Sequence, residues 1–542
     1  MMKRILILFC VFFCTFALSA EVRLQKQGTA TRLIVNGQPM LVLGGELSNS
    51  AVTSISDIDS VLPRMHTLGL NTVFVPIYWD LTEPEEGRFN FSLVDEEIKV
   101  ARENHLKLIL LWFGAWKNSM SCCAPLWFKK DISRFPRAMT EDGKSLEIAS
   151  AFSLHVEEAD KKAFCQLMQH LADIDSKEST VIMIQVENEI GMLESARDHS
   201  PLAEKVFKGG RWRQWTGDVG VPSSPEQDER FQAFYYARYV EQLVSAGKEI
   251  LNIPMYVNAA MNSRGRKPGE YPSAGPLAHL LPIWKKVAPD IDIYAPDIYD
   301  TGFKDWVKQY KKTDNPFFTP ETRLGKYSGV RALYVFGEVD AMGFSTFALD
   351  QAPEEVTRYV SQSYDLLRQL SPLLLKKQGK GLSWGVLFNQ KDRERIIEDN
   401  GVVLIVRHYY TLPWDSRATD GSIWPEGGGL ILKLDKYDYL IAGSGIVVTF
   451  QTASEKKQEE NVKRGEDGFA DKGQHLQISD YFQVKKFYGG RIGIGYVDQV
   501  QFDKLGNMLF VRRDNGDQDH QGRHARISCD GYKILHVKLY KY

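Results

Sequence analysis

From about residue 38 to residue 372 the chain alternates short, continuous apolar runs with longer amphipathic stretches. The apolar runs predict strands at 40–44, 72–78, 106–113, 181–186, 254–258, 291–295, 316–319 and 333–337. Runs without polar alternation are what strands buried on both faces require. Stretches near 55–68, 93–104, 159–174, 229–250, 277–287, 304–311 and 354–370 carry apolar residues at helical spacing. Eight such strands with intervening helices in this length suit a closed (β/α)8 barrel. An open doubly wound sheet is the alternative, but no G-x-G-x-x-G follows the first strand. Two connections, 116–155 and 191–228, are long and follow strands, so in a barrel both lie at the C-terminal, site-bearing face.

After residue 375 the texture changes. Gly becomes frequent, and β-type runs occur at 402–406, 430–432, 446–450 and 534–537, predicting an all-β, sandwich-like region. The stretch 453–473 is charged and polar and reads as an exposed excursion. The organisation expected is therefore 1–20 export signal, 21–375 barrel and 376–542 β-rich region.

The first segment carries Lys3 and Arg4, an apolar stretch from 5 to 18, and small Ser19-Ala20 before Glu21, the layout of a cleaved signal peptide. It is shorter than the ~20 residues of a membrane span. The context of Cys10 and Cys14 does not suit a lipid anchor. A soluble periplasmic or extracellular chain is expected. A net charge of -2 gives no electrostatic footprint for nucleic acid or anionic lipid. Past the signal, Cys122, Cys123, Cys165 and Cys529 form neither a disulfide framework nor a zinc pattern. One disulfide and free thiols are both open. The acidic run 514–519 lacks the Glu that closes a calcium loop, and Gly516 and Gly522 argue against a helical zinc pair at His520 and His524. Neither a metal nor a cofactor is expected.

Chemistry concentrates where strands end. The fourth run closes on Gln185-Val186-Glu187-Asn188-Glu189, and the seventh leads into Thr319-Pro320-Glu321. Charge at the end of a buried run is costly unless it meets a partner or solvent. A barrel brings distant strand ends together around its mouth, so Glu189 and Glu321 become a candidate catalytic pair. Retaining glycosidases need two carboxyl groups about 5 Å apart, one to attack and one to protonate. Glu338, after the predicted eighth strand, competes with Glu321. Further pocket candidates are Glu46 after the first strand, Tyr78 ending the second, and Trp116, Lys117 and Asn118 after the third. Trp116 offers a stacking face for a sugar. Tyr299 is a candidate donor to Glu321. With 11 Trp and 23 Tyr the chain has aromatic surface for sugar rings, although composition alone favours large cores as the explanation.

Asn188-Glu189 after the fourth strand and Glu321 after the seventh resemble the signature of the clan A glycoside hydrolases. The segment from Leu70 to Trp79, followed by Glu83-Pro84-Glu85-Glu86-Gly87-Arg88-Phe89-Asn90-Phe91, resembles the second-strand motif of families 35 and 42. Val186-Glu187-Asn188-Glu189-Ile190-Gly191 is similar to the family 35 acid/base motif, with Ile190 where that family usually carries Tyr. Residues 514–524 and Val537-Lys538-Leu539-Tyr540 resemble the β domain appended to a bacterial branch of family 35-like enzymes. The resemblance implies a cofactor-free, retaining β-galactosidase acting on the ends of an oligosaccharide or polysaccharide. It implies Glu189 as acid/base, Glu321 as nucleophile and Asn188 as a ligand of the sugar 2-OH. A β-glycosidase of other sugar preference and a catalytically dead, carbohydrate-binding barrel are the alternatives.

Overall fold

The computed structural model describes residues 21–262, 265–412, 415–459, 490–514 and 524–542. The export segment, most of the acidic run 514–519 and the excursion beyond residue 459 lie outside the described residues. The part of that excursion that is described, Ala453–Glu459, is a helix.

Parallel strands Val42–Glu46, Thr72–Tyr78, Lys107–Lys117, Val181–Asn188, Met255–Ala260 and Ile293–Ile298 lie side by side in chain order. The seventh strand is broken. Phe318–Thr319 pairs with the eighth strand, Gly343–Phe344, whereas Glu321–Thr322 pairs with the sixth. Pro320 stands between the halves, and a residue without an N–H interrupts a ladder. The eighth strand pairs with the first, so the sheet forms a nearly closed, TIM-like barrel. Its interior is apolar, with Phe74 stacked on Phe318 at 5.9 Å. Five of the seven predicted helices start and end within four residues of their expected limits; that ending at Lys377 runs seven residues further than expected. The helix Leu154–Ile174 begins five residues early, where the Ser153 side chain caps it by accepting from Val156 N–H.

One strand is corrected. Residues 333–337 belong to the helix Ser328–Glu338, and the eighth strand follows it. Nearly every residue of this helix is buried, because it sits between the last barrel helix, Glu354–Lys377, and strands Ser383–Phe388 and Gly427–Asp435. A helix apolar on all sides cannot be told from a buried strand by periodicity. The true eighth strand has two residues and leaves no apolar run to detect. A second departure is a three-stranded antiparallel sheet, Val22–Gln27, Ala30–Val35 and Gln38–Met40, ahead of the barrel. It is tied to the end of the last barrel helix, with Gln27 Nε2 donating to the carbonyls of Leu375 (2.9 Å) and Gln378 (2.8 Å).

Beyond residue 383 a six-stranded and a four-stranded antiparallel sheet enclose a core containing Phe388, Leu404, Ile431, Ile441, Val448, Leu535 and Val537. Leu430, Leu432, Leu440 and Ile534 of the same region belong instead to the apolar cluster of the barrel. Helix Ser328–Glu338 is the wedge between them. A Cβ on Gly385 would lie 2.2 Å from the Tyr334 carbonyl oxygen and 2.8 Å from Glu338 N. Gly385→Val should therefore cost about 3 kcal/mol or more, read as a lowered midpoint in chemical denaturation. An unchanged midpoint would mean that this seam can yield.

Candidate active site

The strand ends build the site. At the fourth strand the backbone turns twice into the left-handed region, at Glu187 (φ 62°) and Glu189 (φ 47°). The third-strand loop holds this kink: Asn118 N–H donates to Asn188 O at 3.1 Å and Ser119 N–H to Glu189 O at 3.2 Å. Asn118 and Ser119 are themselves left-handed, at φ 52° and 56°. Such conformations are costly and persist where surrounding contacts fix them, often at functional sites.

The kink separates two carboxylates that a straight strand would place on one face. Glu187 is fully buried, accepts from Trp116 N–H at 2.7 Å and hydrogen-bonds Asp160 of helix Leu154–Ile174. Asp160 in turn accepts from Trp112 Nε1 (2.9 Å) and the Tyr239 hydroxyl (2.7 Å). This network lies between strand and helices. A Cβ on Gly114 would lie 2.6 Å from Asp160 Oδ1 and 2.8 Å from Glu187 Oε1.

Glu189 belongs to a different group. Its N–H donates to Asn258 Oδ1 at 2.9 Å, and Asn258 Nδ2 donates to Asp297 Oδ2 at 2.6 Å. Asp297 hydrogen-bonds the Glu189 carboxyl and is the cross-strand neighbour of Glu321. Glu321 accepts from the Tyr299 hydroxyl and shares a hydrogen bond with Glu46. The ammonium of Lys117 acts electrostatically on Glu46, Glu189 and Glu321 together. Strand ends one, three, four, five, six and seven thus converge on one set of side chains.

The protonation pattern follows from burial and mutual repulsion. Glu189 is pushed up to about 7, first by burial and then by the negative charge of Glu321, against the pull of Lys117 and Asp297. Burial raises Glu321 as well, but the Tyr299 hydroxyl, the Lys117 charge and Glu46 oppose it. Glu46 and Asp297 are pushed well above the carboxylate range by burial and by Glu321. Neighbouring carboxylates cannot all ionise, so burial and mutual repulsion favour protons on Glu46 and Asp297, whereas Tyr299, Lys117 and Glu46 favour the charge on Glu321.

Glu46→Gln tests this directly. Amide nitrogen keeps a donor for Glu321, so the variant should retain activity within about tenfold of wild type. It should also be more stable at neutral pH. A carboxyl raised in the folded state penalises folding above its unfolded value of about 4.3, and the penalty fades as pH falls toward that value. The gain in melting temperature should therefore be largest above pH 7 and vanish near pH 4. A lowered melting temperature at neutral pH that recovers toward pH 4 would assign the charge to Glu46 instead.

Other expected residues fall elsewhere. Trp116 is fully buried and packs edge-on against Tyr236 (5.5 Å) and Tyr239 (4.7 Å), so its ring is not an open platform. Tyr78 packs edge-on against Phe113 at 5.9 Å, and its hydroxyl lies in the field of buried Glu97 on helix Ser92–Glu103. Asn118 is exposed, and its Oδ1 accepts from Lys117. Glu338 is not on a strand: it pairs with Arg395 and accepts from Gly385 N–H, on the side of the β sandwich. Asp297 and Asn258 were not foreseen as site residues. Their signal was a single polar residue near the end of an otherwise apolar strand.

The two long connections are ordered. Residues 116–155 contain helix Leu126–Lys130 and the hairpin Arg137–Met139/Ser145–Ala149, and residues 191–228 contain helices Pro201–Gly209 and Arg213–Thr216. Buried Asp198 joins them, accepting from Met139 N–H (3.1 Å) and the Ser150 hydroxyl (2.6 Å). Among the described residues Cys122, Cys123, Cys165 and Cys529 are free thiols, and no helix is long and apolar enough to cross a membrane.

With this fold and strand-end arrangement in place, parts of the chain are similar to known glycosidases. A family model described as "Beta-galactosidase" (Glyco_hydro_42) matches residues 53–218, and a "Domain of unknown function (DUF5597)" matches 360–526. The 42-type match suggests family 42 and does not confirm the family 35 grouping expected from the Val186–Gly191 motif. Among relatives, Beta-galactosidase 14 of Arabidopsis thaliana is 24% identical, over 40% of this chain and 24% of its own. Beta-galactosidase of Xanthomonas manihotis is 27% identical, over 32% of this chain and 27% of its own. Beta-galactosidase-1-like protein 3 of Homo sapiens is 27% identical, over 32% and 25%. The chain thus spans about a quarter of the length of these relatives. Similar solved structures include a beta-galactosidase from the psychrophilic Marinomonas ef1, at 14% identity and TM-score 0.46 over 61% of this chain and 60% of that one. Another, from Bacillus circulans sp. alkalophilus, shows 16% identity and TM-score 0.47 over 62% and 57%.

Proposed function

We propose that the protein is a retaining, exo-acting β-galactosidase that removes terminal galactose from an oligosaccharide or polysaccharide by double displacement. The observation that carries this reading is the unequal surroundings of two carboxyl groups in one strand-end cluster: Glu321 accepts from the Tyr299 hydroxyl, and Glu189 is raised to about 7 by burial and by the charge of Glu321. Glu321 attacks the anomeric carbon while Glu189 gives its proton to the departing glycosidic oxygen. The glycosyl–Glu321 ester removes the negative charge that raised Glu189, which then takes a proton from water as the water oxygen attacks the anomeric carbon and the bond to Glu321 breaks, restoring its carboxylate. Glu46 and Asp297, as neutral acids, donate hydrogen bonds without adding charge. Asn188 is assigned to the sugar 2-OH. Export, with action in the periplasm or outside the cell, completes the proposal.

A panel of aryl β-glycosides differing only in the sugar tests it. The β-galactoside should turn over fastest, with the β-anomer of galactose as first product by NMR. Preference for a β-glucoside, β-xyloside or α-arabinoside would keep the mechanism and change the substrate. First release of the α-anomer would overturn double displacement.

A further inference from the structure

The residue that links both halves of the cluster is Lys117, at the last position of the third strand. It is 7% exposed. Its ammonium donates to Asn188 Oδ1 at 3.0 Å and to Asn118 Oδ1, and lies 4.8 Å from the Phe113 ring centroid. A lysine head burdened with this much burial needs compensation by acceptors and anions. Here the acceptors are the side-chain oxygens of Asn188 and Asn118, and the charge of Glu321 on the seventh strand acts on the ammonium. The side chain is also chemically one-sided: an ammonium has three donors and no acceptor, so it can meet only the oxygen end of an amide.

We infer that Lys117 is the positioning residue that sets the orientation of Asn188, fixing Oδ1 on the ammonium and leaving Nδ2 as the end available to the substrate. Without a donor-only partner the amide can rotate, since its oxygen and nitrogen are nearly isosteric. The backbone supports the same function. The Asn188 carbonyl accepts from Asn118 N–H, the residue whose side chain also takes a Lys117 hydrogen bond, so main chain and side chain of residue 188 are held by the same loop. The inference rests on the glycosidase reading, in which a donor to the 2-OH strengthens its bond as the transition state forms. Lys117 acts through Asn188, not on the reacting atoms.

The test compares an aryl galactoside with its 2-deoxy analogue bearing the same leaving group. Wild type should prefer the 2-hydroxy substrate by about 100-fold or more in kcat/KM. Lys117→Met should reduce that preference to the level of Asn188→Ala, and the double variant should be no worse than Asn188→Ala alone. Lys117→Arg, which keeps a donor-only head, should restore part of the preference. Melting temperatures check folding. Should the Met variant not fold, Lys117→Gln serves in its place, one bond too short to reach Asn188. Equal loss on both substrates with the preference intact, or losses that multiply in the double variant, would overturn the inference. Wild type inactive on every aryl glycoside would sink the glycosidase reading instead, so the two failures are distinguishable.

Discussion

Glu321→Ala is expected to lower kcat by about 10^5-fold, equivalent to about 7 kcal/mol of barrier, with the fold intact. The size follows from the role. No other carboxyl readily replaces the lost anion, because burial, the largest cause at Glu46 and Asp297, disfavours their charged forms even without Glu321. Removing Glu321 also removes its repulsion, so Glu189 should titrate lower than about 7 in the variant. Azide, small and anionic, fits the space left and should restore turnover as an α-galactosyl azide. Loss of less than about tenfold would place the nucleophile elsewhere.

The second large effect concerns Glu189. Glu189→Gln should slow hydrolysis of substrates with poor leaving groups by about 10^2- to 10^4-fold. An activated aryl leaving group needs no proton, so its departure should be nearly unaffected, and the glycosyl–enzyme should accumulate because water lacks its base. The pH profile carries the sign. Wild-type activity needs Glu189 protonated and should fall as pH rises through about 7. It also needs Glu321 ionised and should fall on the acid side, above the usual carboxylate value because burial raises that group. The Gln variant should lose the alkaline fall and keep the acid one. A variant still losing activity through pH 7 would assign that limb to another group.

Much of this was legible from residue order. Continuous apolar runs located seven barrel strands, and strand ends located Glu46, Glu189 and Glu321, because a closed barrel turns strand order into a ring of neighbours. The eighth strand was not legible. The apolar run 333–337 is a helix buried by the last barrel helix and by the β sandwich, a tertiary circumstance invisible in local pattern. Correcting it removes Glu338 from contention, since that residue ends a helix facing Arg395. The orientation of Glu187 was also hidden. Alternation puts it beside Glu189, and only the left-handed backbone at both residues turns it toward Asp160. Trp116 shows the limit of residue type as a guide: an aromatic at a strand end went into the wall, between Tyr236 and Tyr239. Asp297 and Asn258 needed the neighbouring strand ends in place before their polarity meant anything.

In this mechanism Glu321 bonds covalently to the sugar and Glu189 serves it from the same strand-end cluster. Mass spectrometry of protein incubated with an activated 2-deoxy-2-fluoro-β-galactoside tests this most directly, because slowed departure of the sugar traps the covalent step. The account predicts a single added sugar, carried on the peptide that contains Glu321 and absent in Glu321→Ala. A sugar found on Glu46, Asp297 or Glu338, or turnover of the reagent without any covalent adduct, would contradict it.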